Sequence, residues 1–198
     1  MRGPWLVLAL LGTVQAVPGR ITRSGVARAQ AVVDSVFLDH TSTEGTIEGG
    51  DWASYLMARL GVTPLPENTQ ILIAVDTQHI LLSGRIQDLP AEARAMMGPL
   101  SALVDSSTVL TAEIALLPSS PGLSHFRLQG VTIGGFPVPE LILRSMLLDV
   151  GKSYPALTKS GRDLYVEIPQ DGKVSLINGA VRLSVPPVPH GTQAPHEP

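Results

Sequence analysis

The chain has 198 residues, 44% of them hydrophobic but only 4% aromatic, and a formal charge of −3. That length suits one domain with a sizeable core of aliphatic side chains, and the absence of a basic cluster argues against a nucleic-acid groove or a cationic membrane patch. With no cysteine in the chain, disulfides, thiolate-bound metal and a lipoprotein-type Cys anchor are excluded, so packing alone must hold the fold.

At the N-terminus, Arg2 precedes the apolar run PWLVLALLGTVQAV, Pro4 to Val17. Together they read as a signal peptide over residues 1–16, with small residues before a cut at Ala16. An uncleaved anchor is the rival reading. Fourteen helical residues would reach about 21 Å, short of a hydrocarbon core of roughly 30 Å. The expected location is extracytoplasmic, periplasmic or secreted.

Residues 17–50 read as an N-terminal helix and loop, 51–185 as an α+β domain, and 186–198 as a disordered Pro-rich tail. In SGVARAQAVVDSVFLDH, Val26, Ala29, Val33, Val36 and Phe37 recur at helical spacing. TSTEGTIEGG follows as a polar loop. DWASYLMARLG then predicts a short helix, with Asp51 as N-cap, Gly61 as stop and Trp52, Tyr55, Leu56 and Leu60 on one side.

Alternation at Ile71, Ile73 and Val75, and again at Ile80, Leu82 and Ile86, predicts a strand hairpin broken near Asp76 to Gln78. A short helix follows from Pro90 and stops at Gly98 and Pro99. The clearest hairpin has Leu110, Ala112, Ile114 and Leu116 on one face of its first arm and turns at PSSPG. Its return arm sets Phe126 and Leu128 opposite Arg127 and Gln129, with Val131 and Ile133 beyond Gly130.

In VTIGGFPVPELILRSMLLDVGKSYPAL, Gly134 and Gly135 permit unusual backbone angles as the strand ends. Pro139 suits the first helical position, Glu140 can pair with Arg144, and Gly151 can close the helix. Val138, Leu141, Ile142, Leu143, Met146, Leu147, Leu148 and Val150 leave only a narrow polar stripe. Such a helix is expected in a trough, contacted from more than one side. A last hairpin is predicted from Leu164, Val166 and Ile168, through a turn at PQDGK, to Val174 and Leu176, with Asn178-Gly179 as a bulge or bend in the continuing strand.

The fold class expected is α+β, a long curved antiparallel sheet wrapped on one or two amphipathic helices. DWASYLMARLGV followed by ILIAVDTQHILLSGRI, and then IGGFPVPELILRSML, is similar to the helix-then-strand pattern of extracytoplasmic lipid-binding families. The chain resembles the tubular lipid-binding (BPI-like) and AsmA-like proteins and their small bacterial relatives over about Asp51 to Val185. That resemblance implies an apolar groove for a lipid or acyl-chain ligand, a non-catalytic role and no cofactor. It transfers no individual binding residue.

The groove candidates come from the apolar faces: Leu143, Met146, Leu147 and Val150 on the helix, and Ile114, Leu116, Phe126 and Leu128 on the hairpin. Arg162, Arg127 and Arg85 are candidates for a lipid head group. Neither His40, His79, His125, His190 nor His196 stands at metal-ligand spacing, and no G-x-S-x-G, G-x-G-x-x-G or Walker motif occurs. His79 and His125 fall in predicted strands, and a hydrolase site would need the fold to bring one of them together with a serine or carboxylate in a cleft. Besides the lipid ligand, an envelope protein partner or a peripheral membrane contact is compatible with the sequence, and a nucleic acid is not.

Overall fold

The computed structural model describes residues 18–187, apart from 63–64, 66–69, 90, 98–103 and 155. The expected signal segment, the helix stop at Gly98 and Pro99, His190, His196 and nearly all of the Pro-rich tail lie outside the described residues.

Strand β1 (Gly19–Arg20) leads into helix α1 (Arg23–Val33). The Thr22 hydroxyl caps α1 by accepting from the Gly25 N–H at 2.9 Å. A single wide π turn, Asp34–Leu38, then brings Val36 and Phe37 into the core. Strand β2 (Glu44–Glu48) and helix α2 (Gly49–Arg59) follow. So the segment read as a polar loop contains a strand. Its one deeply buried apolar side chain is Ile47, too little apolar periodicity for an edge strand to announce itself.

Helix α2 begins two residues before the expected N-cap, and Asp51 lies in its first turn, buried. There the Asp51 carboxylate receives a bidentate pair from Arg28, at 2.7 and 2.6 Å. The close crossing of α1 and α2 needs Gly25, because a Cβ there would stand 2.7 Å from Asp51 Oδ1. Gly61 ends α2 as expected, with φ +82°. Its N–H donates to Ala58 O, and Val62 N–H donates to Met57 O, the paired closure that a left-handed residue allows.

The main sheet is antiparallel and seven-stranded, in the order β1-β3-β4-β5-β6-β7 with β8 also on β6. Here β3 is Leu72–Val75, β4 His79–Arg85, β5 Val109–Leu117 and β6 Leu123–Ile133. Both expected hairpins form, β3 with β4 and β5 with β6. The short helix α3 (Ala91–Met96) connects them. A bulge near Gln129 shifts the β5–β6 register, so Ile114 faces Leu128 while Ala112 faces Val131. That shift keeps Phe126, Leu128, Val131 and Ile133 on one face despite their uneven spacing.

Gly134 and Gly135, both at positive φ, form a two-residue loop joining β6 to β7 (Phe136–Pro137). Glycine at both positions suits the tight turn, since each would cost other residues about 1 kcal/mol or more. Helix α4 (Glu140–Ser153) starts after Pro139, which is the cap and not the first helical residue. It runs through Gly151. That glycine serves close packing, because a Cβ on it would lie 2.8 Å from Thr158 O and 2.9 Å from Gly161 N.

Strand β8 (Asp163–Glu167) pairs with β6. It does not form the expected hairpin with Val174 and Leu176. The PQDGK segment instead carries the chain to a separate three-stranded sheet, β2-β10-β9. In it β9 (Lys173–Ile177) and β10 (Ala180–Ser184) pair directly across Asn178-Gly179, a two-residue hairpin turn with Gly179 at φ +80°. One continuous core joins both sheets, α1 and α2, with Ile73 and Val75 from the large sheet beside Val181 and Leu183 from the small one.

Candidate functional site

Between α2, α4 and the main sheet lies an apolar cavity of about 260 Å³. Helix α2 contributes Trp52, Ala53, Leu56 and Met57, the side that its helical spacing brings together, and its C-cap Leu60 adds to them. Strands β4 to β8 add Ile80, Leu82, Ile114, Phe126, Leu128 and Leu164. Leu147 and Val150 of α4 close another side, and Leu157, Gly161 and Arg162 of the returning loop complete it. Trp52 and Phe126 form an aromatic corner with ring centroids 6.0 Å apart.

Gly161 allows that corner to be built against α4. It has φ +67°, and a Cβ there would collide with the Leu147 carbonyl. The loop reaches the cavity wall because Gly161 lies against the backbone of α4 while Gly151, within α4, lies against the backbone of the loop. The sequence suggested only a helix end at Gly151, since a close approach between distant segments leaves no local pattern.

Five of the eight expected groove residues line this cavity: Ile114, Phe126, Leu128, Leu147 and Val150. Leu143 is buried at 3% exposure, Met146 is half-buried, and neither borders the cavity. Leu116 borders a different, open depression beside His79, Val174 and Leu176. Residues not anticipated for the groove come mainly from α2, above all Trp52, Leu56 and Met57. Their one-sided spacing was legible, but nothing local indicated that α2 and α4 face each other.

Of the three arginines, only Arg162 borders the cavity. Its Nη2 donates to Glu140 Oε2 at 2.9 Å, so the expected Glu140–Arg144 pairing gives way to a longer-range one. Arg85 instead donates to Asp88 and Arg127 to Asp163. The histidines remain apart as well. His79 approaches Glu113 at 3.2 Å, while His125 meets Asp163 at 2.7 Å and stacks on Tyr165.

Burial pushes the Asp163 carboxyl up, but hydrogen bonds and charge from Arg127 and His125 outweigh it and hold the group below its ordinary value. Among the described residues, no group of three or more His, Cys, Asp or Glu is placed to hold a metal, and no helix is long and apolar enough to cross a membrane. One buried donor, Trp52 Nε1, has no hydrogen-bond partner among the described residues.

The outer side of α4 departs from expectation. Leu141 is 82% exposed, and Ile142 and Leu148 are also exposed, as is Phe136 just before the helix. Among the described residues, helix α4 is covered on its Leu143–Leu147 side only, and the expected trough does not form around it. Its apolar width exceeds what the sheet, α2 and α3 reach.

The fold and site define an α+β protein in which an antiparallel sheet and two helices enclose an apolar cavity with one arginine on its wall. No family model, curated protein or solved structure matches the chain.

Proposed function

We propose that this protein binds or carries a lipid-like molecule in the cell envelope, without catalysis, by taking an apolar chain into the cavity between α2, α4 and the main sheet. The observation that carries this reading is the cavity lining, which among the described residues is aliphatic and aromatic apart from Gly161 and Arg162. Burial of apolar ligand surface there would supply roughly 25 cal/mol per Å². The signal-like N-terminus supports an envelope location, and the pattern resemblance to extracytoplasmic lipid-binding families supports the ligand class.

The test is mass spectrometry of organic extracts from natively purified protein, together with uptake of a fluorescent acyl probe. Co-purifying lipid and saturable uptake are expected. Neither lipid nor uptake would overturn the reading. It would leave the alternative, an envelope scaffold or protein-interaction module, which the bare Leu141, Leu148 and Phe136 surface favours.

A further inference from the structure

The cavity has a chemical polarity that narrows its occupant. Among the described residues that line it, Arg162 is the one charged side chain. Its side chain is 26% exposed and pairs with Glu140, whose own side chain is 66% exposed. Arg162 thus borders the apolar cavity while its guanidinium reaches the more exposed Glu140. Of the five N–H donors on an arginine side chain, the described residues engage one, through Nη2. The remaining fork is available to a second acceptor, and planar guanidinium suits a carboxylate well. Arg85 and Arg127, by contrast, donate to Asp88 and Asp163 and do not border the cavity.

Size narrows the occupant further. At about 260 Å³, the space falls below the roughly 300–1,000 Å³ usual for small-molecule sites. One apolar chain fits that space better than two.

We infer that the occupant is a single-chain amphiphile with a carboxylate head, its chain among Leu128, Phe126 and Leu147 and its head on Arg162. The inference rests on the proposed apolar-chain site and adds head-group chemistry and chain number. Ion pairing at the edge of an apolar site is strengthened by the poor solvation around it. A carboxylate there gains over an uncharged head of the same chain length.

Isothermal titration calorimetry on the full chain tests this with decanoate, decanol and dihexanoyl phosphatidate, at about pH 8 where a carboxylic acid is ionised. Decanoate is expected to bind at least about tenfold tighter than decanol, as a charge-assisted hydrogen bond implies. Phosphatidate is expected to bind more weakly than decanoate. In the Arg162→Gln variant, decanoate affinity should fall by about tenfold while decanol stays within about twofold. Retained decanol binding also shows that the variant's groove is intact.

Equal affinity of decanoate and decanol for the wild-type protein would overturn the head-group inference and leave the apolar-chain site standing. Tighter binding of phosphatidate would overturn the single-chain carboxylate assignment. Binding of none of the three would overturn the site itself. Loss of decanol along with decanoate in Arg162→Gln would assign Arg162 to shaping the groove and overturn its role as charge reader.

Discussion

Asp163 gathers two charged or titratable partners, Arg127 and His125, in the large sheet. It opens β8 opposite Arg127 of β6. Its Oδ1 accepts from Arg127 Nε at 2.6 Å and lies 2.7 Å from His125 Nε2. Both His125 and Asp163 are buried, so removing the carboxylate leaves a buried imidazole short of a partner. Asp163→Ala is expected to lose about 2 kcal/mol in urea denaturation at neutral pH. Because the folded state holds this carboxyl below its ordinary value, its contribution is complete above the unfolded value of about 3.9. It fades as pH falls through the lower folded value. A urea series taken down through pH 4 should therefore show the wild-type protein losing more stability than Asp163→Asn. Parallel decline of the two would remove Asp163 from the account of acid sensitivity.

At the scale of elements, helix α4 separates what a periodic pattern can tell from what it cannot. The existence of the helix and its excess of apolar side chains were legible, although it starts one residue after the expected Pro139 and runs on past Gly151 to Ser153. Which side would be covered was not, because coverage depends on where α2, α3 and the Gly161 loop stand. Leu143 and Leu141 are chemically alike two positions apart, yet one is 3% and the other 82% exposed. Leu143→Ala is expected to cost about 2–5 kcal/mol, the range for emptying a packed site. Leu141→Ala should stay within about 0.5 kcal/mol. Thermal melts of the two variants decide the matter, and equal losses would mean that α4 is covered on both sides in solution. The same limit explains the closing hairpin. PQDGK read as the chain reversal and Asn178-Gly179 as a bulge or bend, and only the pairing of β8 with β6 and of β9 with β10 shows that the second is the hairpin turn.

For the whole molecule, the least legible feature was the second sheet. The backbone of β2 pairs with β10 from Glu44–Ser184 to Glu48–Ala180, more than a hundred residues away in sequence. That pairing is made by main-chain groups, which carry no side-chain signature, and by one apolar anchor, Ile47. Yet the small sheet has no core of its own. Val181 and Leu183 are fully buried in the same cluster as Ile73, Val75, Trp52 and Phe126. The two sheets should therefore unfold together, since neither buries its apolar face without the other. Leu183→Ala, at a residue that does not line the cavity, is expected to lower global stability by about 2–5 kcal/mol. It should leave a single transition with an unchanged urea slope, because the surface exposed on unfolding stays nearly the same. Far-UV circular dichroism and hydrogen exchange at β4 and β5 report on the two sheets together. Early loss of β2-β10-β9 with β4 and β5 still protected would show that the small sheet is a separate unit. A coincident shift would mean that the walls of the cavity, Trp52 and Phe126 included, depend on a strand pairing that the sequence conceals.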